Sequence, residues 1–168
     1  MTGCVVWFTG LPSSGKSTLA VRVAETLRGQ DATVSLLDGD EVRGVLSPSP
    51  GYDDEARAHF YRTLAGLAAL LAKQGQVVLV PATAHRRVYR ETARRLAPRF
   101  LEVHVATPAN VCAERDAKGL YEASEQGELA HLPGAGASYE APRSPDVVAE
   151  MGADDEALAA VVRAIAAA

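Results

Sequence analysis

The sequence is poor in residues that staple or anchor unusual architectures. Only two cysteines, Cys4 and Cys112, occur in 168 residues, and they fall on separate predicted elements. That pattern suggests neither a disulfide framework nor a zinc site, so both read as buried thiols. No segment approaches the roughly 20 apolar residues of a membrane span. Positive charge is not in excess either: 17 Lys and Arg against 21 Asp and Glu leave a formal net charge of −4. Nothing is left over to neutralise a nucleic-acid backbone. The first strand signal starts almost at once, leaving no room ahead of it for a signal or transit peptide. The expectation is a cytoplasmic protein with neither nucleic acid nor membrane as partner. No internal repeat, linker or domain boundary is visible, so residues 1–168 are read as one domain.

What is present is concentrated in Gly10-Leu11-Pro12-Ser13-Ser14-Gly15-Lys16-Ser17-Thr18. This stretch fits the phosphate-cradling pattern G-x-x-x-x-G-K-[ST]. Ahead of it the continuous apolar run from Cys4 to Thr9 reads as a buried parallel strand. Behind it Leu19, Val23 and Leu27 recur at helical spacing. Gly10 and Gly15 permit close backbone approach, and the freed N–H groups with the helix N-terminus face phosphate oxygens. Lys16 is placed to neutralise the β- and γ-phosphates, and the Ser17 hydroxyl to ligate Mg²⁺. The site is expected to take a nucleoside triphosphate.

Strand and helix signals then alternate. A second strand over 33–37 ends in Asp38-Gly39-Asp40, acids at the strand end where ligands bind in open α/β sheets. Asp40 begins a short segment with Glu41, Val42 and Arg43, and residues 47–51 form a Pro/Gly loop. A helix from about Asp53 to Lys73 carries Arg57 one turn before Phe60 and Tyr61. A third strand, 76–80, ends without an acid in Pro81-Ala82-Thr83, which leaves the metal-side acid to Asp38 or Asp40. An Arg-rich helix, 85–96, is expected to turn Arg86, Arg87, Arg90, Arg94 and Arg95 mostly to solvent. A fourth strand over 100–106 and a helix opened by Thr107-Pro108 follow. A Gly/Pro-rich insertion within 115–145, with its core at about 116–140, reads as a lid. A fifth strand near 146–151 and a terminal helix from Asp154 complete an α/β fold with a mostly parallel five-stranded sheet.

Together these blocks resemble the adenylylsulfate kinases, or APS kinases, P-loop kinases that phosphorylate the 3′-hydroxyl of adenosine 5′-phosphosulfate (APS) with ATP. The resemblance rests on the GLPSSGKST loop, Asp38-Gly39-Asp40 with Arg43, Gly51 through Arg57, and Arg86-Arg87. It extends to Thr107-Pro108 with Cys112, Arg115-Asp116-Ala117-Lys118-Gly119-Leu120-Tyr121 and Tyr139-Glu140-Ala141-Pro142. It implies a three-layer sandwich with a lid, a homodimer, and ATP with Mg²⁺ as cofactors. It also implies that Asp40 acts on the sugar hydroxyl and joins the magnesium shell, and that Arg43 and Arg57 grip the phosphosulfate. Lys118 would reach from the lid, and Arg115 would lie near the adenine. Thr83 falls where some bacterial members carry a phosphorylatable serine.

Several positions depart from the family pattern, and all surround the acceptor. Tyr52-Asp53 stands for Phe-Ser, Phe60 for an acceptor-binding Asn, and Leu132 for a stacking Phe, followed by Ala135 for Ile. Ala82 and Ala84 replace Ile and Pro. Loss of a polar partner weighs heavily on a polar substrate, and loss of a stacking ring removes about 1–3 kcal/mol per base in nucleic-acid analogues. A changed nucleotide-linked or small hydroxylated acceptor therefore stays open beside APS. So does a nucleotide-binding regulatory module, which the acceptor-side Asp40, Arg43, Arg57 and Lys118 argue against.

Overall fold

The computed structural model describes residues 2–116, 119–126 and 138–167. In chain order the elements are β1 (Cys4–Thr9), α1 (Lys16–Arg28), β2 (Val34–Leu36), α2 (Gly39–Val45), α3 (Asp54–Lys73), β3 (Val77–Pro81), α4 (Arg87–Leu96), β4 (Phe100–Val105), α5 (Ala109–Arg115), α6 (Leu120–Glu125), β5 (Val147–Ala149) and α7 (Asp155–Ala166). All four strand pairings are parallel, in the order β2-β3-β1-β4-β5. The parallel five-stranded sheet expected from the sequence is therefore present.

The continuous apolar run of β1 follows from its central place. Its side chains alternate between two cores. Cys4, Val6 and Phe8 pack with Leu19, Val23, Leu27, Val161 and Ile165 on the face covered by α1 and α7. Val5 and Trp7 pack with Phe60, Leu64, Ala68, Val78 and Tyr89 on the face covered by α3 and α4. A helix layer on each face gives the three-layer sandwich. Both cysteines are free and buried.

Helix starts are set by side-chain caps. Asp53 accepts from the Ala56 N–H at 2.9 Å to open α3, and Asp154 accepts from the Ala157 N–H at 2.8 Å to open α7. Asp38 caps α2, accepting from the Asp40 N–H at 2.9 Å. The short segment after Asp40 is thus a helix of seven residues, and Asp38-x-x-Glu41 has the spacing of a capping box.

The Arg-rich helix differs from expectation. Arg90 does not face solvent: it is only 2% exposed. Its Nε donates to Glu102 at 2.8 Å, while its two terminal nitrogens donate to the carbonyls of Ala84 and Glu140. A charge this deep is tolerated because each donor nitrogen has a partner. Ala84 needs that support, since its φ of +41° is a strained conformation for a residue with a side chain. Its N–H donates to the Tyr61 hydroxyl at 3.2 Å and its carbonyl accepts from Arg90. Residues 139–142 are strapped alongside. Tyr139 Oη bonds Thr9 Oγ1 at 2.8 Å, the Glu140 N–H donates to the His85 carbonyl, and Arg87 donates to the Ala141 carbonyl. Within the expected lid, residues 117–118 and 127–137 lie outside the described residues, Lys118, Leu132 and Ala135 among them, while α6 is described. No helix among the described residues is long and apolar enough to cross a membrane.

Candidate active site

The phosphate loop leaves the carboxyl end of β1 and enters α1 through Gly15, whose φ is +100°. An added Cβ on Gly10 would sit 2.5 Å from the Val105 carbonyl, and one on Gly15 would sit 2.6 Å from the Gly152 nitrogen. Glycine is required at both for steric reasons. The loop is clamped from behind. Thr107 Oγ1 donates to the Ser14 carbonyl at 2.6 Å and lies 3.1 Å from the Glu150 carbonyl. From the side, the Tyr121 hydroxyl donates to the Pro12 carbonyl at 2.9 Å. Lys16 folds over the loop, its Nζ donating to the Gly10 and Leu11 carbonyls at 3.0 and 2.7 Å. The first turn of α1 turns N–H groups without intrahelical acceptors toward the same space.

Beside the loop the Ser17 hydroxyl donates to Asp38 Oδ2 at 2.5 Å. The same carboxylate caps α2 through its other oxygen, so one acid links the start of α1 to the start of α2. Of the two acids weighed from the sequence, Asp38 is the one in contact with Ser17. Asp40 follows in the first turn of α2 and lines the same cleft. A hydroxyl with two neighbouring carboxylates is a hard-oxygen set that suits Mg²⁺, an ion that takes its remaining ligands from substrate phosphates and water. Among the described residues no group of three or more His, Cys, Asp or Glu is gathered into a metal cage.

The cleft has a volume of about 390 Å³ and continues past α2 to an aromatic and cationic end. Arg43, on α2, lies over two rings, its guanidinium carbon 4.4 Å from the Tyr52 centroid and 4.2 Å from that of Phe60. Its Nη1 donates to the carbonyls of Pro50 and Gly51 at 3.1 and 3.0 Å. Arg57 is buried on α3, 5.9 Å from the Tyr52 centroid. Ala82, Thr83 and Arg115 also line the cleft. Ala82 and Thr83 are fixed through their carbonyls, which accept from Trp7 Nε1 at 3.1 Å and Thr9 Oγ1 at 2.7 Å.

The sequence-predicted residues thus meet in one cleft, except for Gly10, Leu11 and Ser14, which are not among its lining residues, and Lys118 and Leu132, which lie outside the described residues. Sequence reasoning missed Tyr61 and His85, both of which line the cleft. Burial raises the Tyr61 phenol pKa, and burial with the cations of Arg57 and Arg86 lowers that of the His85 imidazole. No local pattern marks either; their places depend on the packing of α3 against α4, where Tyr61 stacks on Tyr89 with centroids 4.8 Å apart.

A phosphate loop after the central strand of a parallel sheet in this order, with ligand-facing groups gathered at the strands' carboxyl ends, defines a P-loop kinase fold. Comparison with known proteins narrows the class. The chain belongs to the adenylylsulphate kinase family, whose sequence profile matches residues 2–150. It is 44% identical over 149 residues to the adenylyl-sulfate kinase of Enterobacter sp. (strain 638), covering 86% of this chain and 73% of that one. It is 41% identical over 164 residues to a probable bifunctional SAT/APS kinase 2 of Sorangium cellulosum (strain So ce56), spanning 96% of this chain but 28% of that longer protein. Its structure matches that of the APS kinase CysC of Mycobacterium tuberculosis, solved in complex with AMPPNP and APS. The TM-score is 0.92 at 35% identity, over 99% of both chains.

Proposed function

We propose that this protein transfers the γ-phosphoryl group of ATP to the 3′-hydroxyl of APS, giving 3′-phosphoadenosine 5′-phosphosulfate. The observation that carries this reading is the span of α2 across a single cleft. Its cap, Asp38, touches Ser17 of the phosphate loop, and Arg43 at its other end is set among the acceptor-side aromatics. A nucleoside triphosphate and an anionic acceptor are thereby brought to opposite ends of one short helix, with Asp40 on that helix between them in sequence.

In this reading the acceptor 3′-oxygen forms a bond to the γ-phosphorus while the bond from that phosphorus to the ADP oxygen breaks. The hydroxyl proton passes toward the Asp40 carboxylate, and the negative charge leaves on ADP. Little covalent work falls to the protein, so catalysis rests on positioning and charge neutralisation. The loop N–H groups and Lys16 hold the phosphates; Arg43 and Arg57 hold the phosphosulfate. Arg115, which lines the cleft, would serve the nucleotide side; Lys118, outside the described residues, is assigned by the family resemblance alone to the phosphates or the acceptor. Ser17 with Asp38 and Asp40 would hold Mg²⁺, which supplies charge neutralisation at the β- and γ-phosphate oxygens. A cytoplasmic homodimer belongs to the same reading and is tested by light scattering.

The test is ATP-to-ADP turnover with Mg²⁺, with and without APS, the product being identified by mass. Phosphorylated APS is the expected product. Folded, ATP-binding protein with no APS-dependent turnover would overturn the assignment and move the search to other hydroxylated acceptors that carry an anionic group.

A further inference from the structure

We propose that Tyr52 and Phe60 act as positioning residues that fix the guanidinium of Arg43 in one orientation and thereby set how tightly the acceptor's anionic group is held. The inference rests on the acceptor-side reading of Arg43 given above and adds the mechanism by which that side chain is made rigid. An arginine has five N–H donors and long, flexible torsions that are costly to order when a ligand arrives. Here two kinds of contact remove that freedom in advance. The carbonyls of Pro50 and Gly51 engage Nη1, and the rings of Tyr52 and Phe60 both lie under the guanidinium carbon.

The two rings are not equivalent. Phe60 is 2% exposed and meets Tyr61 edge-on, with centroids 5.3 Å apart, so it is the buried, packed inner plate. Tyr52 is 58% exposed and is the outer plate, shared with Arg57. The hydrogens on Nε and Nη2 make no hydrogen bond among the described residues, while Arg43 lines the cleft. The guanidinium edge not used by the Pro50 and Gly51 carbonyls is thus available for an oxyanion, and a fixed edge favours planar, two-point recognition. Preorganisation of this kind improves affinity by reducing what must be ordered on binding. Phe60, which offers no hydrogen bond to an acceptor, thus acts through the cation above it.

Phe60→Leu and Tyr52→Leu keep apolar bulk and remove the ring face. Each is expected to raise the KM for APS by roughly three- to thirtyfold, the size of one cation–π contact, with kcat and the KM for ATP nearly unchanged. Tyr52→Phe is expected to recover most of what Tyr52→Leu loses. In an Arg43→Ala background neither leucine substitution should weaken APS binding further. Full additivity there, or leucine variants with the parent KM, would overturn the clamp. Arg43→Ala with the parent KM for APS would instead overturn the acceptor reading and the clamp with it. A readout independent of turnover is ¹⁵N NMR of the arginine side chains in the free protein. Slow rotation and a ring-shifted Nε–H for Arg43, both lost in Phe60→Leu, support the clamp; a freely rotating Arg43 in the parent overturns it.

Discussion

Arg90 joins three segments, and replacing it with methionine tests how much of the acceptor wall depends on that junction. The side chain is buried, with its Nε on Glu102 at 2.8 Å and Nη2 on the Glu140 carbonyl at 2.6 Å. Its third contact is the carbonyl of Ala84, the strained residue after β3. Methionine fills much of the volume but leaves two carbonyls without this donor; the buried one of Ala84 costs about 1–3 kcal/mol, the part-buried one of Glu140 less. Glu102 would retain only Arg94, 3.4 Å away on a side chain 45% exposed, a weak substitute. Breaking a buried pair from one side costs about 3–5 kcal/mol, and that range is the expected loss. Urea denaturation is the assay. With a slope of about 2 kcal/mol/M the midpoint falls by roughly 1.5–2.5 M at unchanged slope. The double variant Arg90→Met/Glu102→Leu removes the stranded carboxylate and should regain part of the loss. A midpoint shift below about 0.5 M in the single variant would refute the reasoning, because desolvation of the pair would then cancel all that it contributes.

Four further outcomes follow from the geometry. Gly152→Ala places a Cβ 2.5 Å from the Gly15 carbonyl; with overpacking at about 1–3 kcal/mol, ATP affinity by calorimetry should fall roughly tenfold or more, and parental affinity would refute the contact. Asp38→Asn keeps a good helix cap, so stability should change by less than about 0.5 kcal/mol while the Mg²⁺ concentration for half-maximal turnover rises; an unchanged Mg²⁺ titration would remove Asp38 from the metal side. Asp40→Asn should lower kcat by about 10²-fold or more, the scale of a lost proton acceptor, with ATP affinity nearly retained. Burial, with nearby Arg57 and Arg86 at His85 and Arg90 at His104, lowers both imidazole pKa values. The unfolded chain therefore binds more protons just below about pH 6.5. Stability should be full above that value and decline as pH falls through the interval down to the folded pKa values. His104→Gln should flatten that decline in urea midpoints measured from pH 7.5 to 5.

The parts legible in the sequence are those fixed by local chemistry. The apolar run of β1, the glycines of the loop and the caps Asp53 and Asp154 each act within a few residues, and the elements they set lie where expected. The seven-residue α2 was hidden by Gly39 and Gly44, which weaken any helical signal, although Asp38-x-x-Glu41 could have shown it. Arg90 escapes a sequence reading because it joins Tyr89 and Ala93 on the buried side of α4, while the apolar Val88 is exposed. Its partners, Glu102 on β4 and the carbonyls of Ala84 and Glu140, lie on other segments that no local pattern reveals. The same holds for Asp38 against Asp40. Both suit a metal on paper, and the packing of β2 beside the phosphate loop decides which one meets Ser17.

The close meeting of Gly15 and Gly152 bears on the order in which the site is made. The phosphate loop leaves the ribosome well before the backbone it leans on, since Gly15 precedes Gly152 by 137 residues. Thr107 closes the same seam by bonding both Ser14 and Glu150. Until those residues are made the loop therefore lacks its rear support, and a nascent chain should gain tight nucleotide binding only once the segment through Gly152 has emerged. Stalled chains that stop short of β5 are expected to be poor ATP binders even when β1, α1, β3 and β4 are already paired.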